Sequence, residues 1–180
     1  MGLTNELIRK TIHASLALGC GVLGTYGPRW GVMVCAVALF LAFAGARSWR
    51  RTRRLYAVPR ISYGEFYFLA GIVASAFIFL PHTPVAWQGS MLVLALADPL
   101  AALVGRRFGT HTYHIYGEMR SVEGSAACLV VSGAILHLFG AAPVSVAAGS
   151  IILAWVEAMA PRGSDNLFLP LAAGALFLIV

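Results

Sequence analysis

An all-α, polytopic membrane bundle of about seven transmembrane helices, with its N-terminus in the cytoplasm, is predicted by three features of this 180-residue chain. Hydrophobic residues make up 59% of it and charged residues only 11%, with a mean hydropathy of +0.81. Seven apolar runs follow one another, at about 11–26, 30–46, 63–80, 86–105, 122–139, 143–159 and 167–180. Basic residues crowd every second connector, the pattern that fixes orientation under the positive-inside rule. A chain of this length suits one compact bundle over 1–180 rather than several soluble domains.

Each run is judged by length and flanks. Most hold roughly 15–20 residues, enough to cross about 30 Å of hydrocarbon with some tilt or thinning. Arg9 and Lys10 precede the first run. No clear small-x-small cleavage site follows it, so a retained helix is expected rather than a removed signal. Arg47, Arg50, Arg51, Arg53, Arg54 and Arg60 follow the second run, Arg106, Arg107 and Arg120 the fourth, and Arg162 the sixth. The remaining connectors carry only Arg29, beside Gly27-Pro28, and the turn Pro81-His82-Thr83-Pro84.

Thirteen Lys plus Arg against seven acids give a formal charge of +6. Because the excess lies between apolar runs, it points to membrane orientation and anionic ligands, and no nucleic-acid-reading pattern accompanies it. Cys20, Cys35 and Cys128 sit inside apolar runs without metal-ligand spacing, so they read as packing residues and no disulfide is expected.

All seven acids fall on the cytoplasmic side of this topology: Glu6, Glu65, Asp98, Glu118, Glu123, Glu157 and Asp165. One polar site on that side explains them together. Asp98 lies about 12 Å deeper than Arg106, and Glu157 about 7 Å deeper than Arg162, at a rise of roughly 1.5 Å per residue. Carboxylates at such depth cost several kcal/mol unless paired, metal-bound or wetted. Pro99 withholds an N–H from the carbonyl of Ala95 and bends the helix beside Asp98. Ala97, Ala101 and Gly105 at four-residue spacing let a neighbouring helix come close.

The stretch Asp98 to Ser125 is the centre of the reading. An acid inside an apolar run is followed by Gly105-Arg106-Arg107-Phe108-Gly109, and then by Arg120-Ser121-Val122-Glu123-Gly124-Ser125. Two carboxylates, Asp98 and Glu123, bracketing a basic, glycine-bearing loop can hold a divalent cation while the loop cradles phosphates. The plain alternative is a polar connector with Arg106 and Arg107 as interface anchors. Near the N-terminus, Glu6, Arg9 or Lys10, and His13 recur at three- and four-residue steps and share a helix face. A surface Glu6–Lys10 pair is the simple reading there, but His13 lies a turn inside the membrane. Glu65 opens the third helix, and Asp165-Asn166 opens the last at an N-cap-like position, with Pro170 one turn in. His111, His114, Tyr113 and Tyr116 suit a solvated or interfacial loop, and His82 and His137 fall toward the opposite face.

Gathered together, these residues resemble the polyprenol kinase family: dolichol, phytol and farnesol kinases and the CTP-dependent diacylglycerol kinases. The resemblance covers nearly the whole chain. It rests on Glu6-x-x-Arg9-Lys10-x-x-His13, Asp98-x-x-Ala101-x-x-x-Gly105-Arg106-x-x-Gly109, Ser121-x-Glu123-Gly124-Ser125 and Glu157…Asp165-Asn166…Pro170. The family often has Gly-Asp where this chain has Ala97-Asp98, and Lys-Ser where it has Arg120-Ser121.

The resemblance implies phosphoryl transfer from CTP to the hydroxyl of a lipid alcohol at the cytoplasmic face, with Mg2+ or another divalent cation. On that reading Asp98 and Glu123 hold the metal, and His13 or Glu157 orients the hydroxyl. Arg9, Lys10, Gly105, Arg106, Arg107, Gly109, Arg120, Ser121, Gly124 and Ser125 meet the nucleotide. Glu6, Glu65, Asp165 and Asn166 are further candidates. The acceptor tail is expected between helices, against residues such as Leu16, Phe66, Leu69 and Leu103. No Walker loop or protein-kinase motif is present. The nearest alternatives are a CTP-dependent diacylglycerol kinase and a CTP:lipid-phosphate cytidylyltransferase. An ion-coupled transporter is more remote, because no internal repeat is seen and the acids lie on one side.

Overall fold

The computed structural model describes residues 3–48 and 63–179. Most of the basic connector, Arg50 to Arg60, lies outside the described residues, as do the side chains of Glu6, Arg29 and Arg47.

Helices α1 (Leu3–Tyr26), α2 (Arg29–Ser48) and α3 (Gly64–Phe79) come first. They are followed by α4 (Pro84–Leu92), a π-helical turn (Val93–Ala97) and α5 (Asp98–Phe108), which run on as one rod of 25 residues. After α5 come α6 (Val122–Leu138), α7 (Pro143–Met159) and α8 (Asp165–Ile179). The described chain thus forms seven helical rods, one for each apolar run. Short connectors between α1 and α2, α3 and α4, α6 and α7, and α7 and α8 make those neighbours antiparallel.

Among the described residues, Pro84–Phe108 is the one helix long and apolar enough by itself to cross a membrane. The apolar helices α3, α6, α7 and α8 have 16, 17, 17 and 15 residues. They reach about 23–26 Å, somewhat short of a 30 Å layer.

The all-α expectation holds with one addition. Between α5 and α6 the chain forms an antiparallel hairpin, β1 (Thr112–Ile115) and β2 (Glu118–Ser121), with Thr112 opposite Ser121 and Ile115 opposite Glu118. Tyr116 and Gly117 both have positive φ, 49° and 76°, as a two-residue primed turn requires.

The rod Pro84–Phe108 is the axis of the bundle. Val93, Leu94 and Ala97 are fully buried, and α1, α3, α6 and α8 pack around it. The π turn answers the expectation about Pro99. Helix α5 restarts with Asp98 and Pro99 in its first positions, where a missing N–H is tolerated. Asp98 directly follows this widened turn, a feature that often marks functional sites.

Small residues set the helix contacts. Trp87 is fully buried against α1 and donates its indole N–H to the carbonyl of Gly21 at 3.3 Å. Any side chain at Gly24 would overlap that indole. Gly24→Ala is expected to lower stability by about 1–3 kcal/mol through overpacking, read as thermal unfolding in detergent. Unchanged unfolding would mean that α1 does not seat Trp87 this way. At the other side of the axis, Pro170 frees the carbonyl of Asn166 in α8, and Gly71 lets α3 approach it. Ser90 donates to the carbonyl of Pro170 at 2.7 Å, with the hydroxyl of Ser75 3.3 Å away, so α3, α4 and α8 share a buried polar contact.

Candidate active site

Helix polarity brings the candidate residues to one end of the bundle. Lys10 and His13 lie in the first half of α1, Glu65 in the first turn of α3, and Asp98 at the start of α5. Glu123 opens α6, Glu157 lies in the last turn of α7, and Asp165 opens α8. The turns holding His82 and His137 belong to the opposite end, as the sequence indicates. The described acids of the candidate set thus share one end of the bundle.

Two ionic contacts organise the interior of that end. The ammonium of Lys10 donates to Oδ2 of Asp98 at 2.6 Å, with side chains only 5% and 3% exposed. These residues are 88 positions apart in sequence, and their pairing explains how both charges stay buried. One turn further along α1, His13 is buried and stacks on Phe68 of α3, with ring centroids 4.2 Å apart and planes 13° from parallel.

The second contact is a clamp made by Arg120 on β2. Its guanidinium donates to Glu157 Oε1 at 2.6 Å, to the carbonyl of Ala160 at 2.7 Å and to Asp165 Oδ2 at 3.3 Å. It thereby ties the C-terminal end of α7 to the first turn of α8. Burial pulls the guanidinium pKa down, but Asp165 and Glu157 outweigh it and hold the group above its ordinary value. The sequence assigned Arg120 to phosphate; in the structure its N–H groups are engaged by the protein itself. Ser125 joins the cluster, 3.5 Å from Glu157 Oε2, and bonds Tyr113 at 2.6 Å.

The loop glycines have packing duties. A side chain at Gly105 would press on the Ser121 hydroxyl, and one at Gly124 on the carbonyl of Ala101, so both serve the α5–α6 crossing. At Gly109 a side chain would meet the carbonyl of Gly105 and Ser121. Ser121 caps α6 by accepting from the N–H of Gly124 at 3.1 Å. Arg106 and Arg107 are exposed in the last turn of α5, where cations also complement the helix dipole.

Glu123 and Asp98, expected to share a metal, have different partners. Glu123 accepts from Thr110 at 2.7 Å and from the N–H of His111 at 3.2 Å, and contacts the His111 ring at 2.8 Å. Among the described residues, no three His, Cys, Asp or Glu side chains gather as a metal-ligand set. Mg2+, however, is commonly held by one or two carboxylates with substrate phosphates completing the shell. Asp98 and Asp165 are near enough for their charges to act on each other, and Oδ1 of buried Asn166 has no hydrogen-bond partner. The oxygen donors of Asp98, Asp165 and Asn166 are of the kind a divalent cation takes.

Sequence reasoning missed Phe68 beneath His13, the Ala160 carbonyl, and Thr110 beside Glu123. No signal pointed to the first two. The Thr110 contact follows from the hairpin, whose Tyr116-Gly117 turn was readable.

A helical bundle with buried acids and bases gathered at one end is what fold and site define together. The chain is 32% identical to the phytol kinase of Synechocystis sp. over 186 aligned positions, spanning 93% of this chain and 76% of that protein. It belongs to the polyprenol kinase family, which includes phytol kinase, and it is a membrane protein. No protein-family model matches it. No solved structure matches it.

Proposed function

We propose that this protein is a membrane kinase that transfers the γ-phosphoryl group of CTP to the hydroxyl of an isoprenoid alcohol such as phytol, farnesol or a longer polyprenol. The observation that carries the reading is the 32% identity to a phytol kinase across 93% of the chain. The gathering of Lys10, His13, Asp98, Arg120, Glu157 and Asp165 at one bundle end supports that end as the place for the chemistry.

In the reaction the alcohol oxygen bonds to the γ-phosphorus while the bond from that phosphorus to the β–γ bridging oxygen breaks. CDP departs, and the hydroxyl proton passes to a carboxylate, for which Glu157 is the candidate, and on to solvent. Arg9, Arg106 and Arg107 are the cations offered to the nucleotide phosphates. Where a divalent cation binds, Asp98, Asp165 and Asn166 Oδ1 are the oxygens that would hold it. The cation would neutralise phosphate charge, and Glu123 would order the hairpin beside it. The rods act as seven spans, with this end in the cytoplasm.

Incubating purified protein in bilayers with Mg2+, labelled CTP or ATP, and a panel of prenyl alcohols and diacylglycerol tests the proposal. CDP release with a prenyl monophosphate is expected. Release of pyrophosphate would make the protein a cytidylyltransferase, and turnover of diacylglycerol alone would overturn the acceptor. Sidedness is read by His111→Cys in a cysteine-free background: thiol labelling only from the inner face, slowed by CTP, is expected.

A further inference from the structure

An apolar groove lies between α7 and α8, away from the place where the sequence suggested the acceptor tail would pack. It encloses about 370 Å³. Its walls are Trp155, Val156 and Met159 on α7 and Phe168, Leu171 and Ala172 on α8, with Ala160 and Pro161 from the connector between them. Trp155 and Phe168 are largely exposed at its edges, so it opens sideways toward lipid.

The groove is continuous with the ionic end of the bundle. Ala160, which lines it, gives its carbonyl to Arg120, and the same guanidinium holds Glu157 and Asp165. On α8, Asp165, Phe168 and Ala172 recur at i, i+3 and i+7, so the acid and two wall residues share one helix face. From Asp165 to Ala172 the rise is about 10 Å, which sets the depth of the groove below the polar cluster. The groove and the Arg120–Glu157–Asp165 cluster therefore share Ala160 as a common wall.

We propose that this groove seats the first isoprene units of the acceptor alcohol, with its hydroxyl at the Arg120–Glu157–Asp165 cluster. The proposal rests on the kinase reading for the identity of the ligand. A membrane-embedded groove gains little from burying apolar surface already dissolved in lipid, so its selectivity comes from shape and from the anchored head. The units next to the hydroxyl are read by the groove, and the distal tail lies in bulk lipid.

Photolabelling tests the placement directly and requires no turnover. Wild-type protein in phosphatidylcholine bilayers is irradiated with geranylgeraniol carrying a diazirine near its hydroxyl. Labelling within 155–161 and 168–172, competed by unlabelled geranylgeraniol, is expected. Labelling around Leu16 and Leu69 instead, or labelling that geranylgeraniol does not compete, overturns the groove. In a kinetic test, Ala172→Trp should lower the ratio of kcat/KM for geranylgeraniol to that for dimethylallyl alcohol by about tenfold. Val156→Phe on the facing wall asks the same question if Ala172→Trp does not fold. An unchanged ratio in a folded variant also overturns the proposal. Wild-type protein that labels in the groove yet phosphorylates no alcohol would sink the kinase reading and leave the groove standing.

Discussion

Asp98→Asn is expected to lower kcat for phosphoryl transfer by about three orders of magnitude, the scale of removing one preorganised electrostatic group from a site. The Asp98 side chain is 3% exposed, follows the π turn, and is held by Lys10 at 2.6 Å. The pair also has a stability consequence that the sequence alone did not show. With Asn at this position, the ammonium of Lys10 stays buried without its counter-charge, at a cost of about 3–5 kcal/mol. Lys10→Met strands Asp98 in the same way. The double variant Lys10→Met/Asp98→Asn removes both charges and should regain most of the stability while remaining inactive. Unfolding temperature and kcat measured on all four proteins separate the two roles. If Asp98→Asn in Mg2+ keeps kcat within about tenfold of the wild type, Asp98 is a structural partner of Lys10 and not part of the chemistry.

The rods were legible because apolar composition dictates them. The expected runs 122–139 and 143–159 become Val122–Leu138 and Pro143–Met159, while 63–80 becomes Gly64–Phe79. Helix α1 begins at Leu3, well before the expected 11, because Glu6, Arg9 and Lys10 are good helix formers that an apolarity criterion ignores. The hairpin was overlooked for the opposite reason: its short strands carry little hydrophobic alternation, and their main cue is the Tyr116-Gly117 turn. In the site, depth arguments correctly marked Asp98 and Glu157 as buried acids needing partners. Which partners they take could not be read, since Lys10–Asp98 and Arg120–Glu157 join residues 88 and 37 positions apart. Glycines carry two readings at once. Gly105 and Gly124 match a phosphate-cradling pattern, yet close helix approach is sufficient to require them.

Two physical roles compete for Arg120 on β2. As a phosphate ligand, it would have its guanidinium in the nucleotide path, and Arg120→Ala would raise KM for CTP while leaving unfolding nearly unchanged. As a clamp, it satisfies Glu157, the Ala160 carbonyl and Asp165 at once, and its side chain is 20% exposed. Arg120→Ala then leaves two buried carboxylates and a helix-end carbonyl without their donor. Stability should fall by about 3–5 kcal/mol, and kcat should fall with it because Glu157 loses its fixed position. Arg120→Lys should recover only part of either quantity. An ammonium retains the charge but lacks the planar fork that reaches Glu157 and Asp165 together. The discriminating measurement is therefore the pair of unfolding temperature and KM for CTP across Arg, Lys and Ala at this position. A rise in KM alone, with all three proteins unfolding together, would return Arg120 to the nucleotide and leave α7 and α8 held by something else.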